Sequence, residues 1–578
     1  MKSSISWSGT QHVGARTRVT LSPSNQRILW VIALSLGIMA PALIFGMPSN
    51  LDLSNHFRFA LPFYDALRAG HWYPGWLGES NYGYGDASFR FYPPGLYYLL
   101  ALMRAVTGDW YSGTLLSFSL LSVTGGLGIY FWARTILSET AAVWAAIFYA
   151  LIPYHVNQFY QALLLAEYAA AAVLPFVFAF ADKVCTRRRN IDIAGLAISY
   201  AILVLTHLPL TIVGSLALLV YVGLRIKKAD FWDTLQRLTL AAVLGLTASA
   251  FYWMRMVAEL PWIGVNTPNP RPVIDYRREF LFATFSPDNL NVWWMNILAI
   301  LMLLMMAHAI ILFTRGAKDD RRKLNHVLVM FAASLTMGAG LSRPLWRVIP
   351  PLQQIQFPWR WLTIVSLFAS LIAGAAMPFW AGTESGSVRK LRLVLFGIAL
   401  ISLSFTISHT VREAVFLTRP QFNSALEAVR GSESVSQWLP VWTNRTPERV
   451  INRVETTDRT VTIDKWEPEM RSFYVTEGQT RQARVRTFFY PLWLATTNGN
   501  PALVHPAKDG SLLIDLPAEA ASVHLEFHEP KLSRFSRGFS CLGWLGIAAQ
   551  AAFGLFWRPR MSGNLSGNHP ESDKVLSR

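Results

Sequence analysis

The sequence predicts a polytopic α-helical membrane protein with a C-terminal extracytoplasmic β-sandwich domain. Two observations predict the helical part. Hydrophobic residues make up 52% of the 578 residues and charged residues only 15%, and apolar runs of about 17–25 residues recur, bounded by Arg, Lys or Pro. A third observation predicts the β domain: short runs of alternating polar and apolar residues follow one another after residue 410.

The formal net charge of +17 does not indicate a nucleic-acid-binding protein. The basic residues lie mainly in short loops beside apolar runs, where the excess of Lys and Arg on the cytoplasmic side of membranes accounts for them. The chain has only two cysteines, Cys185 and Cys541. Two cysteines exclude a disulfide framework and a cysteine metal cluster.

The first apolar run, 28–47, follows a basic segment, 1–27, which we expect to be cytoplasmic. The run has no obvious small-residue cleavage site after it, so we interpret it as a retained helix and not as a signal peptide.

The next segment, 48–110, is predicted to be the first outer loop. Leu53–Ala69 has helical apolar spacing and is expected to lie along the membrane surface. The apolar run Pro93–Val106 is too short to cross a membrane, and we interpret it as a second interfacial helix.

This interpretation of 93–106 decides the orientation of the remaining apolar runs. They lie at 112–133, 140–158, 163–182, 191–208, 209–224, 235–254, 291–314, 324–340, 360–381, 391–409 and 539–557. With 93–106 outside the membrane, the basic loops all fall on one side: Arg187–Arg189, Arg225–Lys228, Arg315–Lys323, Arg389–Arg392 and Arg558–Arg560. The charge bias therefore predicts about twelve spans with both termini cytoplasmic, as in a bacterial inner membrane.

The longer connections, 48–110, 255–290, 341–359 and 410–538, then face outward. The last of these is the predicted β domain, entered through the more helical Pro420–Val435. Its alternating runs are Arg459–Asp464, Gln482–Phe489, Ser511–Leu516 and Ser522–Phe527. Turn signals such as Asn498-Gly499 separate them, as in an antiparallel sandwich. The predicted organisation is thus a transmembrane domain (28–409), the β domain (410–538), a last helix (539–557) and a polar cytoplasmic tail (558–578).

Ionisable residues near the outer ends of several predicted helices indicate a functional site, because such groups are costly in a membrane. Asp52 and His56 lie one helical turn apart at the start of the outer loop. The later members are Glu167, His207, Arg255, Glu259 and Arg360. Because these residues share one predicted leaflet, we expect a common cavity there. Its expected lining is Asp52, His56, Glu167, His207 and Arg360, with the aromatic Trp76 and Tyr92 as candidates to contact its substrate.

Each of these residues also has a structural alternative. Asp52 is suited to capping the helix that follows it, with His56 merely holding the carboxylate. Glu167 and His207 are suited to polar contacts between helices, and Arg360 to reaching the lipid head groups. Trp76 and Tyr92 fit an ordinary interfacial aromatic belt.

Several short motifs carry a resemblance to a known family. They are Asp52-x-x-x-His56, Trp72–Trp76, Asn81–Gly85, Phe91–Tyr98, Ala166–Tyr168 with Pro175, Thr206–Pro209, Phe251–Trp253, Gln356–Arg360 and Trp438–Trp442. From about residue 48 to 535, the chain resembles bacterial polytopic membrane proteins labelled 6-pyruvoyl-tetrahydropterin synthase-related. That family is similar to GT-C superfamily glycosyltransferases and to YfhO-like membrane proteins.

The resemblance implies a GT-C-like fold and transfer of a sugar from a polyprenyl-phosphate-linked donor to an envelope glycan, lipid or protein acceptor. It implies that Asp52 is the base, oriented by His56, and that Arg360 and His207 balance the phosphate charge. Glu167 would contact the sugar or hold a basic neighbour, and Tyr92 and Trp76 would stack on the sugar.

The resemblance leaves the cofactor unknown. Many GT-C enzymes have a paired acidic motif, whereas Asp52 stands alone, so a divalent metal is possible but no cluster motif indicates one. Two other functions remain open from the residues: a transporter or flippase for lipid-linked glycans, and a non-catalytic envelope-assembly protein whose β domain binds glycan.

Overall fold

The fold is described from a computed structural model over residues 22–264, 275–285, 290–380, 386–433, 438–443 and 451–556. Most of the predicted N-terminal segment and the predicted tail, 558–578, lie outside these ranges. Their cytoplasmic location stays a prediction.

The predicted first span is a broken helix. Helix α1 (Pro23–Gly37) ends before α2 (Ala40–Phe45), and a short strand, β1 (Met47–Ser49), follows. Helix α3 (Leu51–Arg68) and helix α4 (Gly95–Thr107) occupy the two segments expected to be interfacial helices. Their helical conformation is confirmed, while their position relative to the membrane stays a prediction.

Helices continue through the rest of the first part of the chain. They are α5 (Trp110–Ala133), α6 (Glu139–Leu151), α7 (Pro153–Tyr160), α8 (Leu165–Arg187), α9 (Asn190–Thr206), α10 (Leu208–Arg225), α11 (Phe231–Ala248) and α12 (Ala250–Glu259). After these come α13 (Leu290–Met305), α14 (Ile310–Arg315), α15 (Lys318–Gly338), α16 (Arg343–Val348), α17 (Pro350–Gln353), α18 (Leu362–Trp380) and α19 (Ser387–Glu413). The last helix is α21 (Lys531–Phe556).

Seven helical segments of the described chain are long and apolar enough to cross a membrane, and an eighth results if α11 and α12, bent by 71°, form one span. The seven are Trp110–Ala133, Leu165–Arg187, Leu208–Arg225, Val292–Arg315, Pro358–Phe379, Ser387–Glu413 and Lys531–Leu555. The described chain is therefore mostly helical and contains several candidate membrane spans. The count of twelve stays a prediction, although helix is present at every predicted run.

Helix α18 lies at the centre of the bundle. Of its apolar segment 89% is buried, against 17% for α21, which lies at the periphery. Its small residues allow close packing, as is common between membrane helices. A Cβ added at Gly374 would lie 2.5 Å from the backbone nitrogen of Ala145 in α6, so a larger side chain cannot be accommodated there.

The C-terminal region forms two antiparallel sheets, entered through strand β2 (Val415–Leu417) and helix α20 (Arg419–Val429). The strands are β3 (Val454–Glu455), β4 (Val461–Glu467), β5 (Met470–Val475), β6 (Gln482–Phe488), β7 (Trp493–Thr497), β8 (Asn500–Ala502), β9 (Val504–Pro506), β10 (Ser511–Asp515) and β11 (Ala521–Phe527). One sheet has the order β3-β6-β10-β9 and the other β4-β5-β11-β7-β8. The four predicted alternating runs fall on β4, β6, β10 and β11, so these strands are confirmed.

The two sheets share one hydrophobic cluster. Val485 and Ile514 of the first sheet pack in the same cluster as Phe473 and Val523 of the second. The predicted turn at Asn498-Gly499 connects β7 to β8, with φ of +50° and +81° at its two residues. Positive φ at both positions is the geometry that Asn-Gly supplies in a tight hairpin.

Candidate active site

Asp52 and His56 are held on the first two turns of α3. The cap of this helix is Asn50, whose side-chain oxygen accepts from the Asp52 backbone nitrogen at 2.8 Å. The amide of Asn50 donates to the Gln161 carbonyl at 2.7 Å, which ties the start of α3 to the end of α7. Because Asn50 caps the helix, the Asp52 carboxylate is not needed for capping.

The Asp52 carboxylate is 34% exposed and contacts a buried imidazole. Its Oδ2 lies 3.3 Å from His56 Nε2. On its other side, His56 Nδ1 lies 3.0 Å from the hydroxyl of Tyr97 in α4. The hydrogen bond to Tyr97 at one ring nitrogen fixes the orientation of the imidazole, and its other nitrogen faces the accessible carboxylate of Asp52.

Glu167 and Arg360 form a buried ion pair between α8 and the start of α18. Arg360 Nε lies 3.0 Å from Glu167 Oε2, and Arg360 Nη1 donates to the Ile355 carbonyl at 2.5 Å. Glu167 also accepts from the hydroxyl of Tyr154, the amide of Gln158 and the hydroxyl of Thr363, at 2.7, 2.9 and 3.1 Å. The carboxylate is thus saturated by donors. Arg360 Nη2 donates to no residue that the structure describes.

Two further residues connect the Asp52 pair to the Arg360 pair. Tyr92, between α3 and α4, lies edge-on to His56 with ring centroids 5.8 Å apart. It is within electrostatic range of Asp52, Arg360 and Glu167. His207 caps α10 by accepting from the Leu210 nitrogen at 3.3 Å, and it is within range of Arg360 and His56.

Six of the seven sequence-predicted site residues are therefore neighbours in space: Asp52, His56, Tyr92, Glu167, His207 and Arg360. Burial, reinforced by the Asp52 charge, raises the pKa of the Tyr92 hydroxyl well above its usual value. Tyr92 is consequently a neutral hydrogen-bond donor near neutral pH and not a base.

Trp76 lies elsewhere. It is 1% exposed, and its ring packs 5.6 Å from Trp493 and 5.5 Å from Phe527 of the β domain. The described contacts do not bring it to the Asp52 cluster.

Arg255 and Glu259 belong to a second charged cluster, which we call the interdomain cluster: Arg90, Arg255, Glu259 and Glu529. Arg90, fully buried, donates from Nε to Glu259 at 2.5 Å and from Nη1 to Glu529 at 2.6 Å. Arg255 Nη1 lies 3.2 Å from Glu529, and the Tyr490 hydroxyl donates to Glu259 at 2.7 Å.

The interdomain cluster connects the first outer loop, α12 and the segment that follows β11. Burial opposes ionisation of Glu529, but the charges of Arg90 and Arg255 outweigh it and lower the pKa of its carboxyl to about 2. Sequence reasoning missed Arg90 and Glu529. Arg90 could have been noticed because it is a charged residue inside the aromatic run 89–98. Glu529 follows an ordinary strand, and no feature of the sequence indicated its role.

Asp52 and His56 are two side chains of the kinds that bind divalent metals. Among the described residues, no group of three or more His, Cys, Asp or Glu side chains has the geometry to hold a metal ion. The divalent metal considered from the sequence stays an open point.

Comparison with known proteins assigns the family. A sequence model described as "6-pyruvoyl-tetrahydropterin synthase related domain; membrane protein" matches residues 89–413, more than half of the chain. The chain belongs to this family. The match to the 6-pyruvoyl-tetrahydropterin synthase related family contains Tyr92, Glu167, His207 and Arg360, whereas Asp52, His56 and Trp76 precede it. No curated protein matches the chain.

Solved structures similar to this family member are glycosyltransferases. Arabinofuranosyltransferase AftD from Mycobacteria shares 16% identity and a TM-score of 0.45, over 70% of this chain and 28% of its own. The Archaeoglobus fulgidus oligosaccharyltransferase shares 10% identity and a TM-score of 0.41, over 69% of this chain and 57% of its own. ArnT from Cupriavidus metallidurans, solved bound to undecaprenyl phosphate, shares 14% identity and a TM-score of 0.39, over 71% of this chain and 77% of its own. The chain thus spans well under two thirds of the length of AftD and of the oligosaccharyltransferase.

Proposed function

We propose that this protein is a GT-C-like membrane glycosyltransferase. It takes a sugar from a polyprenyl-phosphate-linked donor and transfers it to an envelope glycan, lipid or protein acceptor at the outer face of the inner membrane. The observation that carries the proposal is the accessible Asp52 carboxylate, 3.3 Å from the buried imidazole of His56 and near a cation with an open donor.

The Asp52 side chain is suited to act as the general base. An acceptor hydroxyl would attack the anomeric carbon, its proton passing to Asp52, while the bond from that carbon to the phosphate oxygen breaks and the phosphate leaves with the electron pair. His56 positions the carboxylate through the 3.3 Å contact and is itself positioned by Tyr97. A positioned base contributes about 10²–10⁴-fold to such a step.

Arg360 and His207 are suited to donate hydrogen bonds to the leaving phosphate. A guanidinium whose Nε is held by Glu167 keeps a terminal N–H free for an oxyanion. Because His207 Nδ1 accepts a backbone hydrogen bond, the neutral ring carries its proton on Nε2, which is then a donor. Since Glu167 is saturated by four donors, we assign it to holding Arg360 and not to contacting the sugar.

Tyr92 is the aromatic residue that we assign to the sugar. Its ring is only partly buried and lies beside His56, whereas Trp76 is enclosed by the β domain. A partly exposed ring beside the base offers a face for the sugar and a hydroxyl for one of its oxygens.

The positions of the charged groups favour a transferase over a transporter. Asp52 lies in the first turn of α3, Glu167 in the first turn of α8, His207 at the start of α10 and Arg360 just before α18. All are at helix starts. A transporter of lipid-linked glycans is expected to hold such groups near the middle of the membrane.

The decisive experiment uses Asp52→Asn with Asp65→Asn as its control. Asp65 is on the same helix, and its exposed ion pair with Arg430 contributes little to stability. The full-length protein in lipid nanodiscs would be given farnesyl-phosphate-linked glucose, mannose, galactose or arabinose plus envelope extract, and released farnesyl phosphate measured by mass spectrometry.

We expect release with the parent protein and with Asp65→Asn, and a loss of at least about 100-fold with Asp52→Asn, because the base is removed. Unchanged release by Asp52→Asn would remove Asp52 from the base role. No release by the parent protein with any of the four donors would contradict transfer from these sugars.

A further inference from the structure

A cavity of about 650 Å³ lies at the end of the helical bundle away from the candidate active site. Helix α10 begins at His207 and ends at Arg225, and α18 begins just after Arg360 and ends near Phe379. At about 1.5 Å per residue, each helix separates its two ends by roughly 27 Å. Arg225 and Phe379 both line the cavity, so it is at the opposite end of the helical bundle, which the sequence predicts to be the cytoplasmic side.

The lining of the cavity is divided between polar and apolar residues. The polar lining comprises Thr135, Ser138, Arg225 and Lys323, and the apolar lining comprises Ile136, Leu137, Ala141, Leu312, Leu324, Ala375, Pro378 and Phe379. Its size is within the range of small-molecule sites, about 300–1,000 Å³. Two cations and two hydroxyls facing an apolar wall fit an amphiphile with an anionic head.

Arg225 is held in a way that leaves its charge available to a ligand. Its Nε donates to Asp182 Oδ1 at 2.6 Å, and the Tyr221 hydroxyl donates to the same oxygen at 3.0 Å. The Thr135 hydroxyl oxygen lies 3.2 Å from the other carboxylate oxygen and 2.7 Å from the Trp132 carbonyl oxygen. The two terminal nitrogens of Arg225 donate to no residue of the described chain. A guanidinium held through Nε presents its terminal fork to phosphate oxygens.

A helix N-terminus adds to the positive potential of the cavity. Helix α6 begins there, with Ser138 as its cap, accepting from the Ala141 nitrogen at 3.3 Å. The N-terminus of a helix of this length attracts anions. Glu139, in the same turn, is paired with Arg134 at 3.0 Å and does not line the cavity.

We propose that this cavity binds a phosphate group, carried by an anionic membrane lipid whose acyl chains follow the apolar wall. Arg225 and Lys323 contact the phosphate oxygens, and the hydroxyl of Ser138 and the start of α6 complete the site. The proposal is independent of the transferase chemistry, because it shares no residue with the Asp52 cluster.

Two variants test the site without disturbing the Asp182–Arg225 pair. Lys323→Glu reverses a charge on the cavity wall, and Arg322→Glu makes the same change at the adjacent exposed residue that does not line the cavity. Ser138→Asp places a carboxylate in the cavity while keeping a favourable helix cap, so the fold is preserved. Thermal unfolding in detergent checks that all three variants are folded.

Binding would be measured by native mass spectrometry of the full-length protein in a neutral detergent, titrated with palmitoyl-oleoyl phosphatidylglycerol. We expect Lys323→Glu and Ser138→Asp each to weaken binding about tenfold, since each adds a like charge near the phosphate. Arg322→Glu should bind as the parent does. Equal binding by all three variants would overturn the proposal.

Two further probes identify the source of the phosphate. Inorganic phosphate at millimolar concentration should fail to displace phosphatidylglycerol if the apolar wall contributes to binding. Displacement, with the same sensitivity to Lys323→Glu, would overturn the lipid assignment and identify a soluble phosphate. Phosphatidylcholine, whose phosphate is balanced by choline, should bind more weakly than phosphatidylglycerol, and equal binding would contradict recognition of the anionic charge.

Discussion

Asn50 and Asp52 lie at the start of α3, and both residue types are favoured as helix caps, but only Asn50 caps this helix. Asn50 accepts the backbone hydrogen bond that caps the helix, and Asp52, two residues later, is left with an accessible carboxylate and a contact to His56. A carboxylate in the first turn is stabilised by the helix dipole, and this stabilisation does not occupy its hydrogen-bonding positions. Because Asn50 provides the cap, the Asp52 carboxylate has a fixed position while its oxygens stay accessible.

Tyr97→Phe tests whether the hydrogen bond between His56 and Tyr97 is needed to position His56. The change removes the hydroxyl 3.0 Å from His56 Nδ1 but keeps the buried ring. One hydrogen bond contributes about 1 kcal/mol, so we expect roughly a fivefold fall in kcat for release of farnesyl phosphate, with KM nearly unchanged.

Tyr98→Phe is the matched control for this change. The Tyr98 hydroxyl donates to the Trp72 carbonyl at 2.6 Å at an exposed site, so kcat should stay within about twofold of the parent value. An equal fall in both variants would mean that the effect is structural and not transmitted through His56.

At this scale, the sequence predicted which ionisable residues lie near one another but not which of them pair. The spacing of Asp52 and His56 indicates a contact because four residues make one helical turn. No such rule connects Glu167 to Arg360, which are far apart in the chain, or reveals that Glu167 is saturated by Tyr154, Gln158 and Thr363. Trp76 was expected near the sugar because it shares the aromatic segment with Tyr92, but neighbouring residues in a loop need not point into the same site.

Among the helices, the contact between α8 and α18 depends on one buried ion pair. Glu167→Gln leaves Arg360 without its anion where only 9% of its side chain is exposed. Breaking a buried pair from one side costs about 3–5 kcal/mol, so we expect a clear fall in Tm for the full-length protein in detergent.

The double variant Glu167→Gln/Arg360→Met separates charge from packing. Because it removes the uncompensated cation, it should recover most of the lost Tm while remaining inactive in transfer. The exposed pair Asp65–Arg430 gives the reference, since Asp65→Asn is expected to cost at most about 1 kcal/mol. A double variant as unstable as Glu167→Gln alone would contradict the importance of the charge.

Hydropathy predicted where helices lie but not where they break. The run 140–158 is divided at Pro153, because a proline restricts the residue before it to extended backbone, as Ile152 shows with ψ of 138°. The run 235–254 bends by 71° at Ser249. Apolar residues lie on both sides of each break, so a window average of hydropathy does not detect either one. The bend at Ser249 brings Arg255 and Glu259 of α12 toward the β domain.

For the molecule as a whole, the interdomain cluster controls how the β domain is attached. Glu529 has a folded-state pKa of about 2, below its usual value near 4.5. Its contribution to stability is therefore complete above about pH 4.5 and is lost as the pH falls from there toward 2. The contribution is on the order of 3 kcal/mol.

We expect hydrogen exchange in β11 and α12 to increase between pH 4.5 and pH 2.5 in the parent protein. Glu529→Gln should show increased exchange already at pH 7 and a smaller change through the acidic range, because its amide does not titrate. Glu526→Gln, at an exposed position of β11, is the control, and its hydrogen exchange should show the same pH dependence as the parent protein. Identical pH profiles for both variants would exclude the cluster as the cause.

The large-scale plan was accessible from the sequence because it depends on composition and periodicity. Apolar runs and alternating strands indicated a helical membrane part and a β region, and the observed β4, β6, β10 and β11 follow the alternation. The contact between the two parts was not accessible, since Arg90 and Glu529 are separated by most of the chain. The pairing of β1 with β2 was missed for the same reason.

That pairing connects the start of α3, the helix that carries Asp52, to the two C-terminal sheets. Strand β1 pairs with β2 from Met47–Leu417 to Ser49–Val415, and the residue directly after β1 is Asn50, the cap of α3. Strand β2, in turn, leads through α20 to the two sheets. A displacement of those sheets would therefore be passed along this ribbon to the start of α3, and so to the Asp52 carboxylate.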